Sequence, residues 1–271
     1  MSDRNPVGRD DPGVMIRHWR IARGLSQMAL ALDVGVSARH MSFVETGRSR
    51  PSRDLVIRLA QALQIPSREE NALLERSGYA RRHAETDLGA PEMTQVRKTL
   101  RFLLDRHEPN SALVFDRHWN IVMSNRAHRS TLAFLTDGRS LPEDIEQNLI
   151  RLTFHPEGLR PFIANWGVVG PALLMRLSRE SAAAPSDEGL ADLIEEVARY
   201  APMPAARSPE LGNAPLLPIH FRKDGVELRL FSVLSTIGSA IDVGLQELMI
   251  ETFFPADATS EAFVAQLWEG A

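Results

Sequence analysis

The stretch RIARGLSQ at residues 20–27 is followed by GVS at 35–37, ETGR at 45–48 and PS at 51–52. The serines of these segments stand where the N-caps of short helices are expected, and Gly35 stands where a tight turn needs a positive φ. Two short helices joined by such a turn are typical of a helix-turn-helix motif. The second helix would begin at Ser37 and point its N-terminal residues toward the major groove of DNA.

The flanking residues extend this motif into a bundle of five helices between residues 14 and 78. Apolar residues recur at helical spacing on both sides of the motif, around Trp19 before it and around Leu59 after it. We therefore predict an all-α helix-turn-helix domain over residues 13–80, preceded by a flexible N-terminus at residues 1–12.

Eight residues in and around the motif have the chemistry to contact DNA. Arg39 carries a planar donor fork that fits guanine edges, and an exposed Phe43 can touch thymine methyl groups. The arginines of the following turn are placed to meet backbone phosphates. Arg39 also fits a phosphate contact, and Phe43 fits the core of the domain equally well. The predicted contacts are Gln27, Ser37, Arg39, His40, Phe43, Arg48, Arg50 and Arg53.

The composition is that of an ordinary globular protein with unevenly distributed charge. Of the 271 residues, 44% are hydrophobic, 24% are charged and none is cysteine, which excludes disulfides and thiolate chemistry. Residues 1–84 carry a formal charge of about +5 and the rest about −9. A basic segment joined to an acidic body fits a nucleic-acid reader with a regulatory domain, although a solvated surface gives the same excess. Without an apolar run of about 18 residues or a signal peptide, we expect a cytoplasmic protein.

The pattern changes beyond a polar linker at residues 81–92. Two short β-type runs are followed by several helical segments, a Pro-rich stretch at 202–218, three further β-type runs and a last helix. This order predicts an α+β domain over residues 93–271. It allows one antiparallel five-stranded sheet covered by helices on a face, and it leaves the strand order open. The β-type runs are 112–115, 120–124, 216–222, 227–236 and 247–254.

Residues 13–65 resemble the Cro/C1-type (xenobiotic-response-element) helix-turn-helix family of phage repressors and bacterial regulators. The resemblance implies that Arg20 and Glu45 form a partly buried ion pair that ties the first helix to the third. It also implies that Gln27 is a recurrent DNA contact and that the recognition helix runs from Ser37 to Phe43.

Further segments resemble the subgroup of regulators named after MmyB. In the N-terminal domain they are SARHMS at 37–42, GRSRPSR at 47–53, NALL at 71–74 and SGYA at 77–80. In the second domain they are PNSALVFDRHWN at 109–120, SNRA at 124–127, NLIRLTF at 148–154 and NW at 165–166. The resemblance implies a PAS-like second domain that binds a small fatty-acid-like ligand.

Such a ligand site needs an apolar cavity with a few polar groups that orient the ligand. Large apolar side chains are suited to line it, although they fit a plain core equally well. Asn125, between a strand and a helix, also fits an N-cap, and Arg151, suited to a carboxylate, also fits an ion pair. The candidate ligand-binding residues are Trp119, Asn125, Phe134, Arg151, Phe154, Trp166 and Phe231.

The sequence contains no pattern typical of an enzyme or a metal site. Its histidines lack metal-ligand spacing, and neither a nucleophile elbow, a phosphate-binding loop nor a dinucleotide fingerprint is present. We therefore expect no catalysis, no metal and no cofactor.

Two functions fit these observations. In the first, a homodimer reads a pseudo-palindromic operator in double-stranded DNA, and its second domain binds a small apolar or fatty-acid-like effector. In the alternative, the second domain serves only dimerisation or protein interaction. An apolar cavity favours the first function and a fully packed interior favours the second. Neither function involves a membrane.

Overall fold

A computed structural model describes residues 11–200, 216–238 and 240–270. Most of the predicted flexible N-terminus (1–12) and most of the Pro-rich stretch at 202–218 lie outside the described residues. The chain divides into two compact units, with the main boundary between Glu85 and Thr86; the first unit also includes the short segments Ala184–Ser186 and Ile241–Val243.

The N-terminal unit consists of five helices. They are α1 (Pro12–Ala22), α2 (Gln27–Asp33), α3 (Ala38–Glu45), α4 (Arg53–Ala62) and α5 (Ser67–Arg76). Ser26, Ser37 and Ser52 cap α2, α3 and α4, and each side chain accepts a hydrogen bond from the backbone N–H three residues later. Asp11 caps α1 by accepting from the Gly13 backbone N–H, two residues later, so that helix begins slightly earlier than the apolar pattern indicates. The predicted all-α domain is confirmed.

The second unit mixes helices and strands. Its helices are α6 (Thr94–Arg106), α7 (Arg126–Thr136), α8 (Glu143–Glu146), α9 (Leu149–Phe154), α10 (Trp166–Ala183), α11 (Glu188–Tyr200), α12 (Val243–Gln246) and α13 (Ala258–Glu269), with 3-10 turns at Pro91–Met93 and Arg160–Phe162. Its strands are β1 (Ala112–Phe115), β2 (Ile121–Ser124), β3 (Pro218–Lys223), β4 (Val226–Thr236) and β5 (Met249–Pro255).

The five strands form one antiparallel sheet in the order β2-β1-β5-β4-β3. The last strand of the chain therefore lies in the middle, where β5 pairs with β1 on one side and with β4 on the other. This arrangement joins the early hairpin β1–β2 to the late hairpin β3–β4. The predicted α+β fold with an antiparallel five-stranded sheet is confirmed, and the structure supplies the strand order.

Helices pack against both faces of this sheet. Alternate residues of a strand point to opposite faces. On one face, Ala112 and Val114 of β1 pack with Leu104 of α6. On the other face, Leu230 of β4 packs with residues of α7 and α10, including Val169. The element order allowed a sheet covered by helices on a face, and it left the second covered face open because the periodicity of α6 does not reveal which side of the sheet it covers. Within the described residues, no helix is both long and apolar enough to cross a membrane.

Candidate functional site

The turn between α2 and α3 has the geometry that the glycine at its centre predicts. Gly35 has a φ of 69°, in the left-handed region that favours glycine. Ser37 then begins α3, its Oγ accepting a hydrogen bond from the His40 backbone nitrogen at 3.1 Å. Ser37 and Arg39, in the first turn of α3, are exposed, whereas His40 is half-buried. The helix-turn-helix thus presents the start of its second helix to solvent.

Arg20 and Glu45 form the ion pair that the family resemblance implies, joining α1 to α3. The Arg20 Nε lies 2.6 Å from one Glu45 oxygen, and a terminal nitrogen lies 3.0 Å from the other. Glu45 is buried, and its hydrogen bond raises the pKa of Arg20. Gln27, a predicted DNA contact, is half-buried and donates from Nε2 to Glu45 at 2.7 Å. The pair fixes the recognition helix against the first helix.

Phe43 lies between two exposed arginines beside the recognition helix. The guanidinium carbon of Arg39 is 5.4 Å from the centre of the Phe43 ring, and that of Arg48 is 5.9 Å from it. The ring itself is half-buried. A guanidinium over an aromatic face gains cation–π energy and keeps the edges of its fork free for hydrogen bonds. Phe43 is therefore placed to orient Arg39 and Arg48.

Two further predicted contacts follow α3 and differ in their surroundings. Arg50 donates from Nε to the Ser77 carbonyl at 2.6 Å, and its guanidinium lies 5.4 Å from the centre of the Tyr79 ring. It therefore holds the segment after α5. Arg53 is the first residue of α4 and is exposed. The sequence did not indicate that Arg50 contacts Ser77 and Tyr79.

The second unit contains a largely apolar cavity between the sheet and helices α7, α9 and α10. Its volume, counted as space open to the centre of a water molecule, is about 80 Å³, enough for several waters or for part of a slender apolar chain. Most of its walls are aliphatic or aromatic. The lining residues are Ser111, Trp119, His128, Thr131, Leu132, Leu135, Leu149, Ile150, Thr153, Leu159, Ile163, Leu173, Arg176, Ile219, Phe221, Leu230, Glu251 and Phe253.

A hydrogen-bonded serine–histidine pair contributes to the polar part of this lining. The Ser111 Oγ lies 3.1 Å from the His128 Nδ1. Burial lowers the pKa of His128 to about 4, and the nearby charge of Arg129 acts in the same direction. The imidazole is therefore neutral at neutral pH and can offer its Nε2 to a ligand as a donor or an acceptor, according to its tautomer.

Glu251 and Arg176 supply the remaining ionisable groups of the lining. Burial raises the pKa of Glu251, against a hydrogen bond with Ser232 and the charge of Arg176. The Arg176 guanidinium lies 4.4 Å from the centre of the Trp119 ring, and its Nε donates to Glu180 at 2.8 Å. These groups give the apolar cavity a small set of polar contacts that can orient a ligand.

Trp119 is the one candidate ligand residue from the sequence that lies in the cavity wall. Its φ of 66° places it in the left-handed region. The loop is held by Asp116, whose Oδ1 accepts from the backbone nitrogens of His118 and Asn120. The Trp119 indole donates to Glu180 at 2.8 Å. The side chain is buried and stacks on Phe115 at 4.9 Å.

The polar candidates Asn125 and Arg151 are not among the residues that line this cavity, and each has partners within the protein. Asn125 caps α7, accepting from the backbone nitrogens of His128 and Ala112, and it donates to two backbone carbonyls. Arg151 forms an ion pair with Glu196 at 2.9 Å, which raises the pKa of Arg151. These are the N-cap and ion-pair roles that the sequence left open beside ligand binding.

The aromatic candidates other than Trp119 pack against each other or against neighbouring rings. Phe154 meets Trp166 edge to face at 4.9 Å. Phe134 contacts Phe263, and Phe231 stacks on Phe254 at 5.5 Å. None of the four is among the cavity-lining residues.

Sequence reasoning missed the polar groups that do line the cavity. Ser111, His128, Arg176 and Glu251 come from separate parts of the chain, and no motif joins them. Glu251 carried the one available signal, because a glutamate within a β-type run of apolar residues is unusual unless it has a partner or a role.

Comparison with known families agrees with this architecture. The family described as "Helix-turn-helix domain" matches residues 13–74, and the family described as "MmyB-like transcription regulator ligand binding domain" matches residues 96–267, more than half of the chain. A search of curated proteins found no match. The second match covers the sheet and every residue of the cavity lining. The chain therefore belongs to the MmyB-like transcription regulators, with a helix-turn-helix domain at its N-terminus and an MmyB-like ligand-binding domain behind it.

Proposed function

We propose that this transcription regulator reads its operator through α3 and binds a small apolar effector in the cavity of its second unit. The observation that carries the proposal is the cavity itself, since its apolar walls and few polar groups are what a small-molecule site requires. A purely dimerising or docking domain gains nothing from such a cavity, because unfilled apolar space lowers stability.

On the DNA side, the exposed Arg39 is the proposed base reader. Ser37 and His40 lie at the start of the same helix, and the Phe43 ring packs against the Arg39 guanidinium. Arg48 and Arg53 are proposed phosphate contacts, since both are exposed arginines that follow the recognition helix. Gln27 and Arg50 remain proposed contacts, and each also holds the domain together, Gln27 through Glu45 and Arg50 through Ser77.

We further propose a homodimer on a pseudo-palindromic operator. A single recognition helix reads only a few base pairs, so a two-fold pair of such helices, spaced about one turn of DNA (34–36 Å) apart, is the economical route to specificity. The effector would act by favouring one arrangement of the two DNA-binding domains over another, because a ligand with equal affinity for both arrangements shifts nothing.

For the effector, the family resemblance implies a fatty-acid-like molecule, and the aliphatic walls of the cavity suit an acyl or alkyl chain. Thr131 and Thr153 line the walls without competing strongly for polar contacts, since each hydroxyl already donates to the carbonyl four residues earlier. The chain of such a molecule would gain about 0.8 kcal/mol for each methylene that it buries.

Native mass spectrometry of the full-length protein tests the cavity as the effector site. Thr131→Phe adds a ring that fills the cavity, and Ala133→Phe adds the same ring to the exposed side of the same helix. We expect a co-purified or added apolar ligand to appear as a mass adduct on the wild type and on Ala133→Phe but not on Thr131→Phe. Equal adducts on all three proteins, or no adduct with any apolar ligand, would contradict the proposal.

A further inference from the structure

The charge balance of the cavity bears on the chemical class of its ligand. Among the described lining residues, the ionisable side chains are His128, Arg176 and Glu251. His128 is neutral near pH 7, because burial holds its pKa at about 4. Arg176 is therefore the cation that an anionic ligand would have to use, and Glu251 is the group that it would have to avoid.

Arg176 already has an anionic partner. Its Nε donates to Glu180, one turn further along α10, at 2.8 Å. Glu180 is in turn held by the Trp119 indole, which donates to its other oxygen at 2.8 Å. A ligand carboxylate would have to share the guanidinium with a carboxylate that is fixed from two sides. Two anions on one cation leave a net negative charge in an apolar site, which is unfavourable.

Glu251 makes an anionic ligand still less favourable. The residue is 8% exposed, lies in the central strand β5 and lines the cavity together with Phe253 of the same strand. Burial raises the pKa of Glu251 and so favours its neutral form, which offers an O–H donor and a carbonyl acceptor that pair with an alcohol, amide or ester. Facing a ligand carboxylate, it must either keep a proton shared between the two acids or add a third negative charge.

The Ser111–His128 pair adds a second neutral contact. Ser111 occupies the Nδ1 side of the ring at 3.1 Å, so Nε2 is the ring nitrogen left to meet a ligand. The neutral imidazole can donate or accept, and so can the neutral acid that the burial of Glu251 favours, which suits a head group with both an oxygen acceptor and an O–H or N–H donor.

We propose, on the condition that the cavity is the effector site, that the effector is an amphipathic molecule with an uncharged polar head, such as an alcohol or amide. In this arrangement its apolar chain lies along the aliphatic walls, and its head hydrogen-bonds to Glu251 and the Ser111–His128 pair. Glu251 is then the residue that determines specificity against fatty-acid carboxylates.

Calorimetric titration of the full-length protein at pH 7.5 with 1-octanol, octanamide and octanoate tests this inference. The three probes share one chain length and differ in the charge of the head. We expect the alcohol and the amide to bind at least about tenfold more tightly than octanoate. In Glu251→Leu, the affinity for octanamide should fall about tenfold, whereas Glu251→Gln, which keeps an uncharged donor and acceptor, should stay within about threefold of the wild type.

The outcomes separate this inference from the proposed function. Octanoate binding as tightly as octanamide, or unchanged octanamide affinity in Glu251→Leu, would overturn the neutral head while leaving the cavity as the ligand site. Binding that persists in Thr131→Phe would place the probes elsewhere and overturn both. No binding of any of the three probes to the wild type would likewise overturn both.

Discussion

Arg39 and Arg53 are both exposed arginines of the N-terminal unit, and their surroundings predict different effects on DNA binding. Arg39 starts the recognition helix over the Phe43 ring, whereas Arg53 starts α4. Arg39→Ala should relax base preference at one position of each half-site by about 1–3 kcal/mol, because it removes the proposed base contact. Arg53→Ala should weaken binding to all sequences alike, because it removes the proposed phosphate contact. Affinities for an in vitro selected operator and for its single-base variants measure both effects, and equal losses on specific and random DNA for Arg39→Ala would refute its role as reader.

His128 makes the stability of the second unit depend on pH. Its pKa is about 4 in the folded protein and about 6.5 in an unfolded chain. The unfolded state therefore takes up a proton as the pH falls below about 6.5, while the folded state does not until about pH 4, so stability decreases across that window. We expect the free energy of unfolding to fall by about 1–3 kcal/mol between pH 7 and pH 4. The lower end of this range allows for the side of the ring that faces the cavity. His128→Gln should flatten this part of the pH profile in chemical unfolding, and an unchanged slope would contradict the assignment.

Glu251 makes the stability of the second unit depend on pH in the opposite sense, with the loss at high pH instead of low pH. Burial raises its folded-state pKa above that of the unfolded chain, so the unfolded state releases its proton first as the pH rises. Stability conferred by the neutral acid is therefore fully present below the unfolded pKa and decreases as the pH rises toward the folded one. Glu251→Gln should raise the unfolding midpoint at pH 8 relative to the wild type and have little effect at pH 4. Thermal unfolding at the two pH values measures this, and a variant that is less stable at pH 8 would contradict it.

At the scale of single residues, sequence reasoning found Trp119 but not the rest of the cavity lining. Trp119 stood out as an aromatic residue in a recognisable segment. Whether Phe154 or Thr153 faces the cavity depends on one residue of register along α9, which composition does not reveal. Polar groups such as Ser111 and Glu251 line one cavity only when β1 and β5 become neighbours. The sequence could predict an apolar cavity with a few polar groups, but it could not identify most of the side chains that line it.

Arg50 shows how a side chain fixes the end of an element. Its hydrogen bond to the Ser77 carbonyl and its contact with Tyr79 hold the residues that follow α5. Hydrogen bonds from charged groups contribute about 1.5–3 kcal/mol, so Arg50→Ala should lower the free energy of unfolding of the N-terminal unit by about that amount. Arg53→Ala, which removes an exposed arginine three residues later, is the matched control and should change it by less than about 0.5 kcal/mol. Chemical denaturation of the two variants measures the difference, and equal stabilities would show that the Arg50 contact contributes nothing.

The elements themselves were predictable where local chemistry determines them. Ser26, Ser37 and Gly35 set the boundaries of α2 and α3 through caps and a positive φ, which depend on neighbours in sequence. Burial within an element was less predictable. Met28 and Leu32 of α2 are apolar like their neighbour Leu30, yet they are 72% and 83% exposed. The short helix buries Leu30 and Ala31 instead, and nothing within the described unit explains the two exposed side chains.

At the scale of the whole molecule, residues 1–84 and the rest of the chain carry opposite net charges.

The strand order could not be predicted, because placing β5 between β1 and β4 depends on contacts between the two ends of the second domain. The excess of about +5 in residues 1–84 should appear as salt dependence of DNA binding that the acidic remainder opposes. The charge of the sequence thus predicts the salt dependence of DNA binding, whereas the cavity can be located only once the sheet has folded.

Coupling between the two functions is reciprocal if the regulator works as proposed. When an effector changes operator affinity by some factor, the operator must change effector affinity by the same factor, because both reflect one coupling free energy. Typical couplings of about 1–3 kcal/mol correspond to about 5–150-fold. We expect titration of the protein with octanamide, with and without saturating operator, to give the same ratio as titration with operator, with and without saturating octanamide. In Thr131→Phe, operator affinity should be unchanged, octanamide should no longer alter it, and the operator should no longer alter the affinity for octanamide. A ratio of one in the wild type, with both ligands bound, would show that the cavity does not regulate DNA binding through this ligand.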